Sequence, residues 1–150
     1  MKLGLIGCGY WGPNIVRNIQ KIDGVDLEFI VDKDVEIFKK IPAAMAFFDD
    51  VELALGRHSD VDGVIIATPI STHFDIAKYV LESGVSVLIQ KPMAMSSEEC
   101  SILEDIAKAK GLALMIAHTF LFTSSVQELK NLIVNGSLGE IKHFDSVRIN

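Results

Sequence analysis

The stretch GLIGCGYWGPNIV, residues 4–16, decides how this chain reads. Leu5 and Ile6 close a short apolar run of strand character, and Ile15 and Val16 open a segment with helical spacing. Between them Gly7, Gly9 and Gly12 form the pattern G-x-G-x-x-G, directly after a strand and at the mouth of a helix. Each glycine has its own physical task. Gly7 permits a tight turn, Gly9 lets the backbone approach a pyrophosphate, and Gly12 lets the helix pack closely on the strand. The helix N-terminus offers unpaired N–H groups and a positive dipole end to phosphates. Pro13 stands in the first helical turn, where a missing N–H costs nothing. Tyr10 and Trp11 lie inside the loop and join it as cofactor-side candidates.

The pattern alone is weak, so the surrounding sequence has to carry it. Twenty residues beyond Gly12, the apolar run LEFIVD (27–32) ends on Asp32. A carboxylate there accepts hydrogen bonds from ribose hydroxyls and repels a 2′-phosphate, which favours NAD over NADP. Lys33, next to it, softens that preference. The plain alternative is a glycine-rich turn with an ordinary surface aspartate. The strand before, the helix after and the acid at the right distance weigh against it.

The same alternation runs through the chain. DLEFIVD, VDGVIIAT, VSVLIQ and LALMIAH are apolar and strand-like, and AAMAFF adds a short further strand after the second. Near-continuous apolar strands indicate a parallel sheet covered on both faces. Helical segments separate them. Ile15, Val16, Ile19 and Ile22 share one face; DDVELAL carries acids at its start; THFDIAKYVLESG ends on Gly84; SSEE sets Ser96 and Glu99 as a capping box for a helix closed by Gly111. This rhythm predicts a three-layer α/β/α, doubly wound parallel sheet with strand order 3-2-1-4-5-6.

Composition narrows the function classes. With 150 residues, 49% hydrophobic and 23% charged, the chain has material for a core without disulfides or metal. A formal charge of −6 argues against nucleic acid or an anionic membrane surface as partner. Cys8 and Cys100 are far apart with no CxxC, which points to free thiols and a reducing compartment. The start lacks the pattern of a secretory leader, and the longest apolar stretch, LALMIAHTFLF, is too short to span a bilayer. The expected location is the cytoplasm. His118 has no metal-ligand spacing with another His or Cys, so no metal site is expected.

Further candidates fall where strands end. Thr68 and Pro69 follow VIIA at the carboxyl end of a parallel strand, the side on which ligands sit in open α/β sheets. Ser71 or Thr72 reads as a cap for the next helix. His73, in that helix's first turn, is either structural or catalytic, and it joins the cofactor-side candidates. In VLIQKPMAM (87–95) the strand gives way to Gln90, Lys91 and Pro92. A lysine at this rim either snorkels into water or donates to a substrate oxygen and exchanges a proton with it. His118, after LALMIA, either faces a ligand or is a buried, hydrogen-bonded histidine.

Taken in order, GLIGCGYWG, VD, ATPISTH, QKPMA and SLGEIKHF resemble the Gfo/Idh/MocA family, named for glucose-fructose oxidoreductase, inositol dehydrogenase and rhizopine catabolism. The resemblance covers essentially the whole chain. It implies a Rossmann domain followed by a second α/β domain with a large open sheet. It also implies NAD(P)-dependent oxidation or reduction of sugars and related polyols. The family's Glu-Lys-Pro motif matches Gln90, Lys91 and Pro92, so the resemblance gives Lys91 the catalytic lysine role and places Gln90 and Lys91 beside the cofactor. Gln90 departs from the family's Glu and removes a charge next to the lysine. His118 matches the segment that lines the substrate side of the nicotinamide. HTFLF and FDSVRIN resemble a branch common among sugar-nucleotide and surface-glycan enzymes.

The resulting expectation is a cofactor-binding domain over residues 1–120, then a connecting helix and the first strand of a substrate domain over 121–150. TSSVQELKNLIVNGSLG reads as the helix and EIKHFDSVRIN as the strand. On this reading the 150-residue chain binds the dinucleotide and does not turn over a sugar or nucleotide sugar by itself. Its unpaired last strand is a template for a homo-oligomer. The competing class is a non-catalytic dinucleotide sensor or interaction module, which has no need of Lys91.

Overall fold

The computed structural model describes residues 1–39 and 45–147. They divide into two compact units, Met1–Ala117 and His118 onward.

The first unit is built on six parallel strands: β1 (Lys2–Ile6), β2 (Asp26–Val31), β3 (Ala46–Phe48), β4 (Gly63–Ile66), β5 (Ser86–Ile89) and β6 (Leu114–Ile116). Their order is β3-β2-β1-β4-β5-β6, as the rhythm of the sequence predicts. All five pairings are parallel. Of AAMAFF, only Ala46–Phe48 is strand, and Ala43 and Ala44 lie outside the described residues. The helices of this unit are α1 (Gly12–Ile19), α2 (Val35–Phe38), α3 (Val51–Arg57), α4 (His73–Glu82) and α5 (Ser97–Lys110).

Successive strand residues point to opposite faces, and two cores result. Leu5, Ile30 and Ile65 pack with Val16 and Ile19 of α1. Ile6, Val31, Ile66 and Ile89 pack with residues of α3, α4 and α5. Cover is uneven at the β6 edge, where Met115 is 47% exposed although its neighbours Leu114 and Ile116 join the second core.

Helix ends follow local chemistry, with three departures from the sequence reading. Ile22 does not extend the apolar face of α1. The helix stops at Ile19, Ile22 N–H closes a tight turn onto Ile19 O, and the side chain is exposed. At α5, Ser96 Oγ accepts from Glu99 N–H at 3.2 Å and Gly111 closes the helix at φ +66°. The reciprocal bond of Glu99, however, goes to the Met95 N–H one residue earlier. Ser96→Ala should therefore lower stability by about 1 kcal/mol, read as a fall in thermal midpoint. At α4, neither Ser71 nor Thr72 caps. A 3-10 turn, Ile70–Thr72, precedes the helix, and Thr72 Oγ1 bonds Thr68 Oγ1 and Pro69 O instead.

The second unit holds a 3-10 turn, Thr119–Phe122, and α6 (Ser124–Val134), which exits through Gly136 and Gly139 at positive φ. The expected final strand is not formed over residues 140–147, which lie exposed and without a ladder partner among the described residues. A lone strand has nowhere to place its backbone hydrogen bonds except solvent. Residues 148–150 of that expectation lie outside the described residues. Among the described residues, no helix is long and apolar enough to cross a membrane.

Candidate functional site

Parallel register builds one rim. Ile6 pairs with Val31 on one side and Ile66 on the other, Val31 with Phe48, Ile66 with Ile89, and Ile89 with Ile116. The next residues continue this row through backbone bonds. Gly7 N–H donates to Val31 O, Asp32 N–H to Phe48 O, Ala67 N–H to Ile6 O, Gln90 N–H to Ile66 O, and Ala117 N–H to Ile89 O. Gly7, Asp32, Ala67 and Gln90 thus stand at the same level of the carboxyl edge, and the strand order reverses beside β1. That switch point is where open parallel sheets take ligands.

The three glycines differ in what confines them. Gly7 has φ +87°, and a Cβ on it would lie 2.7 Å from the backbone of Ala67 and Thr68. A Cβ on Gly12 would lie 2.5 Å from Cys8 Sγ. A Cβ on Gly9 would meet nothing within 4 Å, so the space in front of it is open. Trp11 occupies the N-cap position of α1 with no side-chain cap. Among the described residues, no protein group accepts from the N–H of Gly9, Tyr10 or Trp11. Open space, uncapped donors and a helix dipole fit an anionic pyrophosphate. Tyr10 is 88% and Trp11 55% exposed, packed edge to face at 5.4 Å.

Asp32 is turned toward this loop. Its Oδ2 accepts from Cys8 N–H at 2.7 Å and its Oδ1 from Asp34 N–H at 2.9 Å. Each carboxylate oxygen has a second lone pair, so both contacts leave capacity for ribose hydroxyls. Lys33 is exposed beside it. The sequence reading missed the link from Cys8 to Asp32; a backbone donor leaves no trace in residue type. Cys8 itself is 2% exposed, and burial first, then the Asp32 carboxylate, push its thiol up. A neutral, enclosed thiol reacts slowly. Iodoacetamide should modify Cys8 in the folded chain far more slowly than in denaturant, as peptide mass spectrometry would read.

The other rim candidates gather on two neighbouring loops. Thr68 is half-buried after β4, and Pro69 is exposed. Gln90 is half-buried and Lys91 exposed after β5, with a cis bond between Lys91 and Pro92. Among the described residues, the Lys91 ammonium has no hydrogen bond or ion pair. His73 is 2% exposed. Its Nδ1 lies 2.9 Å from Pro92 O and its Nε2 2.9 Å from Thr68 O. Both nitrogens face the chain's own carbonyls, an arrangement that matches the structural reading of His73 and not a cofactor contact. His118 opens the second unit; it is exposed, and its carbonyl accepts from Leu121 N–H at 3.0 Å.

A family model described as an oxidoreductase family with an NAD-binding Rossmann fold, GFO_IDH_MocA, matches residues 1–118. An uncharacterized oxidoreductase of Streptococcus pneumoniae is 30% identical over 150 residues, covering 99% of this chain and 40% of that protein. A UDP-N-acetylglucosamine 3-dehydrogenase of Acidithiobacillus ferrooxidans is 31% identical over 132 residues, covering 87% of this chain and 41% of that protein. The crystal structure of the WlbA dehydrogenase from Bordetella pertussis, in complex with NADH and UDP-GlcNAcA, superposes with a TM-score of 0.83 at 26% identity. That match covers 92% of this chain and 43% of WlbA. The chain thus spans about two fifths of the length of these relatives. From the matched residues and the rim they build, the chain belongs to the GFO_IDH_MocA oxidoreductase family, through its NAD-binding Rossmann fold.

Proposed function

We propose that this chain is the cofactor-binding part of a longer NAD-dependent oxidoreductase. Its substrate is a sugar, polyol or nucleotide sugar, changed at a hydroxyl or carbonyl carbon. The observation that carries this reading is the Lys91 ammonium, unpartnered among the described residues, on the same rim as the open glycine loop. A dinucleotide sensor needs the loop but has no use for that cation. The relatives' names support the substrate class, with UDP-N-acetylglucosamine acted on in one and UDP-GlcNAcA bound in another.

Bound nicotinamide supplies hydride acceptance or donation. The chain's residues do the rest. The Gly9, Tyr10 and Trp11 N–H groups hold the pyrophosphate, with the α1 dipole behind them. Asp32 accepts from the ribose. Thr68 and Pro69 border the nicotinamide end. Lys91 donates to the substrate oxygen and takes or returns its proton. Gln90 stands beside this lysine as a neutral amide where the family's motif has a carboxylate. His118 is assigned to the substrate side, and residues 121–150 to the connection with a substrate domain.

The test is an NAD titration on the 150-residue chain, together with hydride-transfer assays on the longer enzyme over sugars and nucleotide sugars. Absent NAD binding would sink the cofactor reading. Cofactor choice follows from charge at Asp32. NADH should bind more tightly than NADPH, and Asp32→Asn should narrow the gap by about tenfold, or 1.4 kcal/mol. Tighter NADPH binding by the unaltered chain would refute this assignment. The Asn form is preferred to Ala because it retains an acceptor for the Cys8 N–H.

A further inference from the structure

We infer that His73 is a positioning residue that fixes the Lys91 turn against the Thr68 loop. The inference rests on the role proposed above for Lys91, but its geometry stands apart from that role. Two loops leave neighbouring strands β4 and β5 at the carboxyl rim, one carrying Thr68 and the other Lys91. Ladder bonds end at Gln90 N–H onto Ile66 O, so the sheet itself holds neither Lys91 nor Pro92. His73 reaches both loops from the first turn of α4. Its Nδ1 meets the carbonyl of Pro92, the residue after Lys91, and its Nε2 meets the carbonyl of Thr68.

Three further features make this a brace. The ring is 2% exposed, and each nitrogen lies 2.9 Å from a carbonyl oxygen, so in either neutral tautomer the nitrogen that carries the proton donates to one of the two loops. The turn is also seated from below, because Met93 and Ala94 are 7% and 8% exposed. Above that seat, Lys91 and Pro92 are exposed, and the Lys91 side chain has no partner of its own among the described residues. The position of the Lys91 backbone therefore depends on the strand end before it and the His73–Pro92 contact after it. Thr72 supports the opposite side through Thr68 Oγ1 and Pro69 O, both at 2.8 Å.

Amide side chains separate the two halves of the brace. An Asn amide nitrogen takes the place of Nδ1, and a Gln amide nitrogen the place of Nε2. His73→Asn should keep the Pro92 contact and His73→Gln the Thr68 contact. The experiment is 1H–15N relaxation on the 150-residue chain. In His73→Gln, the order parameters of Lys91 and Met93 should fall from a rigid-backbone value of about 0.85 to below about 0.6, with the β1 and β4 amides unchanged. In His73→Asn those two amides should stay as in the wild type, while the order parameters of Thr68 and Ile70 fall. Equal loosening of the Lys91 turn in both variants, or in neither, would overturn the inference. If His73→Gln does not fold, the His73→Asn pattern alone decides, and loosening of Lys91 there overturns it. NAD affinity should be unchanged within about twofold in either variant; loss of affinity with a rigid Lys91 turn would make His73 a cofactor contact instead. In the longer enzyme, His73→Gln should lower kcat about tenfold at constant KM for NAD, with recovery in His73→Asn. Full turnover by Lys91→Met would end the catalytic reading while leaving the amide result standing.

Discussion

Lys91→Met is expected to lower hydride-transfer turnover of the longer enzyme by about 10²–10⁴, the usual worth of a positioned acid–base group. NAD binding and thermal stability should hardly change. The side chain is exposed and unpartnered among the described residues, so the fold loses little when the ammonium goes. Methionine keeps the length and the apolar stem of lysine. A lysine that merely reaches into water would tolerate the change without loss of rate. The measurement is kcat and KM at saturating NAD, beside a cofactor titration and a melting curve. Unchanged kcat with normal NAD binding would move the proton role to another group, His118 among them. A fall in NAD affinity equal to the fall in rate would make Lys91 a cofactor anchor.

Much of this architecture was legible because a few residues have one physical use. G-x-G-x-x-G between a strand and a helix, with an acid at position 32, fixed the first βαβ unit, and the sheet order followed from the repeat of that unit. The boundaries were less legible. Ile22 fits the helical period of α1, but the period does not say where a chain turns toward its next strand. The four-residue α2 is too short for any period to show, and it depends on Asp34 Oδ1 accepting from Glu36 N–H at 3.0 Å. EIKHFDSVRIN alternates like a strand, but alternation supplies side-chain direction and not the ladder partner. The rim was legible in outline, since candidates at strand ends share an edge once the sheet is parallel. Its internal bonds were not. Cys8 N–H to Asp32 and His73 to Thr68 O and Pro92 O run through backbone atoms, which every residue type carries alike. The lone histidine in the first turn of α4 held a clue only in its position, level with two loops that needed a partner.

The glycine loop yields the second large effect, because Gly7 and Gly9 should fail in opposite ways when each becomes alanine. Gly7 has φ +87°, where an L side chain is strained, and its Cβ would press on the backbone of Ala67 and Thr68 at 2.7 Å. Backbone atoms tied to the end of β1 by the Ala67 N–H to Ile6 O bond cannot step aside as a flexible side chain can. Strain and overpacking each cost about 1–3 kcal/mol, so Gly7→Ala should destabilise by about 2–6 kcal/mol, a large share of the stability of a domain this size. Gly9→Ala meets nothing within 4 Å and requires no positive φ, so the melting temperature should stay within a degree or two. Its methyl group instead enters the space through which a pyrophosphate reaches the N–H groups of the loop. NAD affinity should fall tenfold or more, since a single misplaced contact at a charge-assisted anion site costs more than about 1.4 kcal/mol. Melting curves and NAD titrations on the two variants separate these outcomes. A stable Gly9→Ala chain that binds NAD normally would show that the open space before Gly9 is not where the pyrophosphate sits. A Gly7→Ala chain as stable as the wild type would show that the turn at Ala67 and Thr68 yields, and that the first glycine is not held by sterics.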